Sequence, residues 1–164
     1  MTEQMEFPQP TAEHTKLEEH AGTWKVHSTF YMDPNPEVPP MEVEAKETIQ
    51  MFGEFWTQSV YESDFMGQPF QGQSTLGYDP ENKEFVSTWI DTMSPTFFHF
   101  AGNFEGETLV MRGRAFDCMS KMEANYRTTE VHNGPNERVF EMFMELPDGS
   151  EFKMMTHVYT RVRG

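Results

Sequence analysis

Apolar and polar residues alternate along most of the chain after Gly22, with the period of two that is typical of β-strands with one buried face. In the first such stretch, Trp24 and Val26 fall on one face and Lys25 and His27 on the other. Turn residues interrupt the alternation at regular intervals. The pattern predicts ten strands, at residues 23–32, 41–51, 55–65, 69–78, 84–92, 96–104, 107–116, 121–132, 138–146 and 151–163.

Short turns join most of the predicted strands, and no helical segment separates them, which argues against a parallel α/β fold. The longest connection, residues 33–40, holds four prolines, which lack the N–H that a sheet interior needs. Ten consecutive strands with one apolar face have two edges to hide, and closure into a barrel removes both. We therefore expect an all-β fold, a roughly ten-stranded antiparallel up-and-down barrel, with the proline-rich loop as part of a rim.

Residues 11–20 are the only good helix candidate in the sequence. Thr11 can cap this helix, and His14 stands where a capping box has Glu or Gln. We expect a short N-terminal helix that closes one end of the barrel. Residues 1–10 are polar with two prolines and are predicted to be a flexible arm, which leaves residues 11–164 as a single barrel domain.

The charge of the chain limits its partners. The chain has 12 Lys and Arg residues and 27 Asp and Glu residues, which gives a formal net charge of -15. Binding to phosphates needs clustered cations. Nucleic acid and anionic membrane surfaces are therefore poor partners. Cys118 is the only cysteine, so no internal disulfide is expected, and no apolar leader or spanning segment is recognised. These features predict a cytoplasmic protein.

Several short motifs carry a resemblance to a known family. Gly22-Thr23-Trp24 resembles the G-x-W start of the calycin superfamily, the lipocalins, fatty-acid-binding proteins and their relatives. More specific segments together resemble a bacterial family of calycin-like domains of unassigned function: FYMDP at 30–34, LGYD at 76–79, VSTWIDTMS at 86–94 and FKMMTHVYTR at 152–161.

This resemblance covers the chain from about Leu17 onward and implies a closed β-barrel with an interior cavity. It brings no catalytic residues with it. In lipocalin-like barrels the tryptophan of the start motif packs at the closed end under an arginine from a late strand. The matching positions here are Trp24 and Arg161, and the resemblance implies a structural role for both.

The strand at residues 84–92 places an aromatic residue and a carboxylate on one face, because Trp89 and Asp91 are two residues apart. An inward carboxylate needs a partner, and Arg127, Tyr126 and His99 are the candidates. We expect a small, partly apolar ligand in the barrel, with Asp91 as its polar anchor. By strand parity, the wall consists of Phe30, Phe70, Tyr78, Trp89, Phe98, Tyr126 and Met142.

Three alternatives to a non-catalytic binding barrel stay open. One is a cavity enzyme, an isomerase or hydrolase, with Asp91, His99 and Tyr126 as acid–base groups. Another is a haem-binding barrel through His157 on the last strand, since nitrobindin-type haem barrels, another calycin-like group, bind iron there. The third is an interaction module in which Phe and Met fill the barrel, and a homodimer is compatible with all of these.

The six histidines show none of the spacings of known metal motifs, so no metal site and no cofactor are expected. The only basic cluster is Arg112, Arg114, Lys121 and Arg127. In so acidic a chain, we expect these cations to pair with neighbouring glutamates instead of binding an anion.

Overall fold

The structure is a computed structural model that describes residues 4–162, and its fold is the predicted closed antiparallel barrel. Each strand pairs with its neighbours in the chain, and β1 pairs with β10 to complete the ring. The strands are β1 Gly22–Phe30, β2 Met41–Phe52, β3 Trp56–Phe65, β4 Gln68–Asp79, β5 Glu84–Asp91, β6 Ser94–Glu105, β7 Thr108–Asp117, β8 Met122–His132, β9 Glu137–Glu145 and β10 Glu151–Arg161.

The strand register sets which residues face inward. Trp24 on β1 lies opposite Arg161 on β10 and opposite Glu47 on β2, and these residues share the interior face. The same parity continues around the ring, so that Tyr61 lies opposite both Glu47 and Gly72. On the six strands where the period of two assigned wall residues, β1, β4, β5, β6, β8 and β9, those residues have the inward parity.

The N-terminal segment forms the expected cover, which we call the plug: α1, Ala12–Lys16, followed by a 3₁₀ helix, Leu17–His20. Thr11 caps α1, and His14 completes the capping box in place of the usual Glu or Gln. The His14 Nδ1 atom accepts the Thr11 N–H at 2.9 Å, so Nε2 carries the ring proton and donates it to the Tyr78 carbonyl at 3.0 Å. The prediction of a single helix over residues 11–20 was right in position but wrong in type for its second half.

The remaining boundaries differ from the predictions by up to two residues. β1 ends two residues early, where Tyr31 and Met32 lead into the proline-rich connection. Residues 4–10 form no helix or strand; the rest of the predicted arm, residues 1–3, lies outside the described residues, as does Arg163 at the predicted end of the last strand. No helix in the described part of the chain is long and apolar enough to cross a membrane.

The interior apolar side chains form two clusters instead of one. Buried members of the first come mainly from β4 to β9 and include Leu17 of the plug: Leu17, Leu76, Phe85, Phe100, Leu109, Met111, Ala115, Tyr126 and Met142. Buried members of the second come from β1, β2, β3 and β10: Trp24, Val26, Ile49, Tyr61 and Tyr159. The two clusters thus line opposite walls of the barrel.

Candidate functional site

Most of the side chains predicted to line a ligand site lie toward the end of the barrel away from the plug. This end, which we call the mouth, carries the turns that follow β1, β3, β5, β7 and β9. Partly exposed rings contact one another there: the centroids of Phe30 and Phe65 lie 5.8 Å apart, and those of Phe65 and Phe70 lie 6.2 Å apart. On the opposite wall, the ring centroids of Phe98 on β6 and Tyr126 on β8 lie 5.4 Å apart. The mouth is therefore rimmed with aromatic surface that is only partly covered.

Trp89 and Asp91 contact each other directly on the inner face of β5. The indole Nε1 of Trp89 donates a 2.9 Å hydrogen bond to Asp91 Oδ2, while Asp91 Oδ1 accepts the N–H of Met93 at 2.9 Å. The expected partners of Asp91, namely Arg127, Tyr126 and His99, are not its hydrogen-bond partners. The carboxylate therefore orients Trp89 and caps a turn, and each of its oxygens already accepts one hydrogen bond.

A glycine makes room for this tryptophan. A Cβ added at Gly72 would lie 2.1 Å from the Trp89 ring, so only glycine permits the ring to lie against β4. Met142, another predicted wall residue, is buried in the first cluster together with Tyr126.

Two predicted residues lie away from the mouth. Tyr78 lies beside the plug, with its ring centroid 5.7 Å from that of His14 and 4.9 Å from that of Phe85. His99 is exposed on the outer face of β6, opposite Thr88. The set of Asp91, His99 and Tyr126 is therefore not brought together, because strand alternation turns His99 away from the other two.

A chain of neutral polar groups lies along one wall of the interior, on β10, β1 and β3, between the mouth and the plug. The Ser28 hydroxyl contacts the Tyr61 hydroxyl at 2.7 Å and His157 Nδ1 at 2.6 Å, while His157 Nε2 lies 3.1 Å from the Met155 sulfur. Burial, together with the charge of Arg138, lowers the pKa of His157 to about 3, so its imidazole is neutral at neutral pH.

This environment does not fit a haem bound through His157. Both ring nitrogens already have partners. The rings of Phe30, Tyr61 and Phe140 surround the imidazole with centroids 5.6–5.7 Å away, where a macrocycle would need open space.

The plugged end holds a cluster of buried charged side chains that the sequence analysis did not anticipate. Arg138 donates hydrogen bonds to Glu130 and, at 3.3 Å, to Glu47. On its other oxygen, Glu130 contacts His20 Nε2 at 2.9 Å, and His132 Nε2 lies 3.9 Å from that same oxygen. We call these five residues the charged cluster; all of them are buried except His132, which is half-buried.

The pKa values of the two carboxylates of this cluster shift in opposite directions, although both carboxylates contact Arg138. Burial raises the pKa of Glu47, and the attraction of Arg138 only partly offsets it. Burial acts on Glu130 in the same sense, but the charges of His20 and Arg138 and the hydrogen bonds from the two histidines hold its pKa well below the usual range. Glu130 is thus the fixed negative centre of the cluster.

Trp24 and two arginines complete the plugged end. Trp24 is fully buried and donates its indole N–H to the His20 carbonyl at 2.8 Å. The Arg161 guanidinium lies 4.2 Å from the centroid of the Trp24 ring, and that of Arg138 lies 5.0 Å away. Gly22 has a φ of +133°, and an added Cβ would lie 2.5 Å from Arg161 Nη1, which explains the glycine of the G-x-W motif.

One known protein family matches almost the whole chain. The model of DUF1579, described as a protein of unknown function, matches residues 9–161. The chain belongs to the DUF1579 family. No curated protein matches it.

Two solved structures share the barrel of this DUF1579 member. Rv2717c from M. tuberculosis has a TM-score of 0.68 at 12% identity, over 94% of this chain and 100% of that one. The S-type phycobiliprotein lyase CPES from Guillardia theta has a TM-score of 0.61 at 14% identity, over 94% and 99% of the two chains. At these identities the likeness establishes a common fold.

The charged cluster of this DUF1579 barrel had one signal in the sequence. Glu47 interrupts an inward series of otherwise uncharged residues, since Ala45 and Ile49 flank it on the same face of β2. A carboxylate at such a position requires a buried partner. Its partner Arg138 lies 91 residues further along the chain, so no local pattern identifies it.

The basic residues that the sequence analysis grouped together lie on the outside of the barrel or in its turns. Arg114 pairs with Glu123 at 2.7 Å, and Arg127 makes two 2.8 Å hydrogen bonds to Glu151. The expected pairing with glutamates is confirmed for these two arginines. Within the described residues, neither Arg112 nor Lys121 makes an ion pair.

Proposed function

We propose that this protein binds a small, largely apolar and uncharged ligand in the mouth of its barrel, without catalysis. The observation that carries the proposal is the partly exposed aromatic surface at the mouth, formed by Phe30, Phe65, Phe70, Trp89 and Phe98. A ten-stranded barrel is wider than the eight-stranded ones that side chains fill, and the interior packs as two clusters on opposite walls.

The charges around the mouth favour a neutral ligand. Asp91 and Asp117 stand on the inward face at this end, and the chain as a whole is strongly acidic, so an anion would be repelled. The deeper polar groups, Ser28, Tyr61 and His157, are neutral and hydrogen-bonded to one another, so they place no charge below the mouth. Fatty acids and other carboxylates are therefore poorer candidates than neutral aromatic compounds.

The comparisons are compatible with this proposal without naming a ligand. The phycobiliprotein lyase carries its own activity on the same fold, and at 14% identity only the fold is shared. A cavity enzyme is the weaker alternative, since His99 lies outside the barrel and the carboxylate of Asp91 is engaged by Trp89.

A fluorescence titration with a neutral apolar dye, N-phenyl-1-naphthylamine, tests the proposal. Ser63 faces inward on β3 between Ala45 and Phe70, so Ser63→Trp should fill part of the mouth. Glu62→Trp adds the same side chain one residue away, on the outer face. We expect Ser63→Trp to weaken dye binding at least about tenfold, or 1.4 kcal/mol, and Glu62→Trp to leave it unchanged.

The sulfonated analogue 8-anilino-1-naphthalenesulfonate should bind more weakly than the neutral dye because of the acidic mouth. Circular dichroism of both variants verifies that they are folded. Equal loss of binding in the two variants, or none in either, would place the dye elsewhere and refute a site in the mouth.

A further inference from the structure

Three potential metal ligands converge at the plugged end of the barrel. His20 ends the plug, and Glu130 and His132 are two residues apart on β8; each offers a donor atom within 4.8 Å of the other two. We propose that these residues form a binding site for a divalent transition-metal ion, best suited to Zn²⁺. This site is separate from the mouth and does not depend on what the mouth binds.

The donor set matches the coordination chemistry of zinc. Two imidazoles and one carboxylate leave one position of a tetrahedron open, the arrangement of protein sites that keep a water or a further ligand. Donors bound at about 2.0–2.1 Å in a tetrahedron stand about 3.3 Å apart. Here the His20 and His132 Nε2 atoms lie 2.9 and 3.9 Å from the same oxygen of Glu130, so small side-chain shifts are sufficient.

Glu130 keeps one oxygen available to a metal. Arg138 binds Oε1, whereas both histidines approach Oε2. The guanidinium would therefore orient the ligating carboxylate from behind, as outer-shell partners of metal sites do.

The side chains around the site also suit a cation. The carboxylates of Glu47 and Glu130 flank the guanidinium of Arg138, and all three side chains are buried. A buried ion needs a direct partner of opposite charge, and the Glu130 carboxylate would supply one to the metal.

The half-buried His132 gives the site a side open to solvent, and His20 connects it to the plug. A bound ion would tie the 3₁₀ helix to β8. Because it would bind the folded protein and not the unfolded chain, it should raise the melting temperature. The sequence pattern did not predict this site, because a ligand in the plug and a pair on β8, about 110 residues apart, follow no short motif.

The test is a Co²⁺ titration of tag-free, chelator-treated protein followed by visible absorption, with Zn²⁺ competition and thermal melts as second readouts. Tetrahedral Co²⁺ gives intense d–d bands, which an ion held loosely on surface carboxylates does not. We expect about one equivalent to bind, Zn²⁺ to displace it, and the melting temperature to rise.

Variants at single histidines assign the site. His132→Ala removes a ligand while it leaves the contacts of Glu130 with His20 and Arg138, and should weaken Co²⁺ binding at least about tenfold. His99→Ala, on the exposed outer face, is the matched control and should leave binding unchanged. His27→Ala tests the exposed cluster that His27 forms with Glu42 and Glu44.

The outcomes are distinct. No d–d bands, bands that survive His132→Ala, or bands lost in His27→Ala would each overturn the assignment. If dye binding at the mouth fails while Co²⁺ still binds through His132, the proposed function is refuted and this inference stands.

Discussion

The two ends of the barrel use opposite chemistry. The plugged end buries two carboxylates and an arginine beside His20, the last residue of the 3₁₀ helix, and two guanidinium groups lie against Trp24. The mouth has no helix over it in the described part of the chain, and its aromatic rings stay partly exposed. A buried charge needs fixed partners, whereas an exposed apolar surface is stabilised when another molecule covers it. The first end is therefore held by fixed partners, and the second is the end where we propose that a ligand binds.

The largest expected effect comes from removing the cation of the plugged end. Arg138→Met leaves Glu47 and Glu130 without their shared guanidinium and should lower the free energy of unfolding by about 3–5 kcal/mol in urea titrations. Arg112→Met, on the outer face and without an ion pair among the described residues, is the control and should change it by less than about 0.5 kcal/mol. Similar losses in the two variants would remove the distinction between a charged core and a solvated surface.

The buried neutral histidine makes stability depend on pH. Because burial lowers the pKa of His157 to about 3 from 6.5, the unfolded chain takes up a proton below pH 6.5 that the folded protein excludes. The contribution of His157 is thus complete above pH 6.5 and falls as pH drops toward 3, by on the order of 4 kcal/mol. His157→Gln should flatten this part of the stability profile measured by urea unfolding at each pH. An unchanged slope would mean that the imidazole is not buried neutral.

A substitution in the G-x-W start motif tests how tightly the backbone of the plugged end packs against Arg161. Gly22→Ala combines a φ of +133° with a Cβ 2.5 Å from Arg161, and we expect a loss of about 1–3 kcal/mol in the free energy of unfolding. Gly149→Ala also has a positive φ, +85°, but its Cβ would meet nothing within 4 Å, so its loss should be smaller. If the Gly149 variant is as unstable as the Gly22 variant, the loss comes from backbone strain alone, and the contact with Arg161 contributes nothing.

The smallest effects on stability are expected at the mouth. Phe98→Ala should cost only about 1–2 kcal/mol, since the ring is partly exposed already, yet it should weaken binding of the neutral dye. Its neighbour Phe97 points outward and is 62% exposed, so Phe97→Ala should alter neither quantity appreciably. Dye binding that falls equally in both variants would move the binding surface to the outside of the barrel.

Strand alternation was enough to predict the fold and the inward face. It placed Phe30, Phe70, Trp89 and Phe98 on the interior side because the period of a strand is two residues and one face is buried. The same parity excludes His99 from the interior once Phe98 is placed there, so the acid–base set was inconsistent with its own pattern.

The remaining features depend on contacts that a linear pattern does not contain. Asp91 found its partner two residues away in Trp89, a contact set by the rotamers of both side chains. The charged cluster joins the plug to β2, β8 and β9, and Glu47 reveals in sequence only that some partner must exist. Tyr78 faces inward as its parity predicts, but it lies beside the plug and not at the mouth. Parity gives the face of a strand and not the distance of a residue from the mouth.

Native mass spectrometry of the untagged protein as purified, followed by denaturing extraction, tests the central claim most directly. The account predicts one equivalent of a neutral small molecule, released on denaturation, absent from the Ser63→Trp variant and retained by Glu62→Trp. A bare protein whose mouth also fails to bind the neutral dye would contradict it.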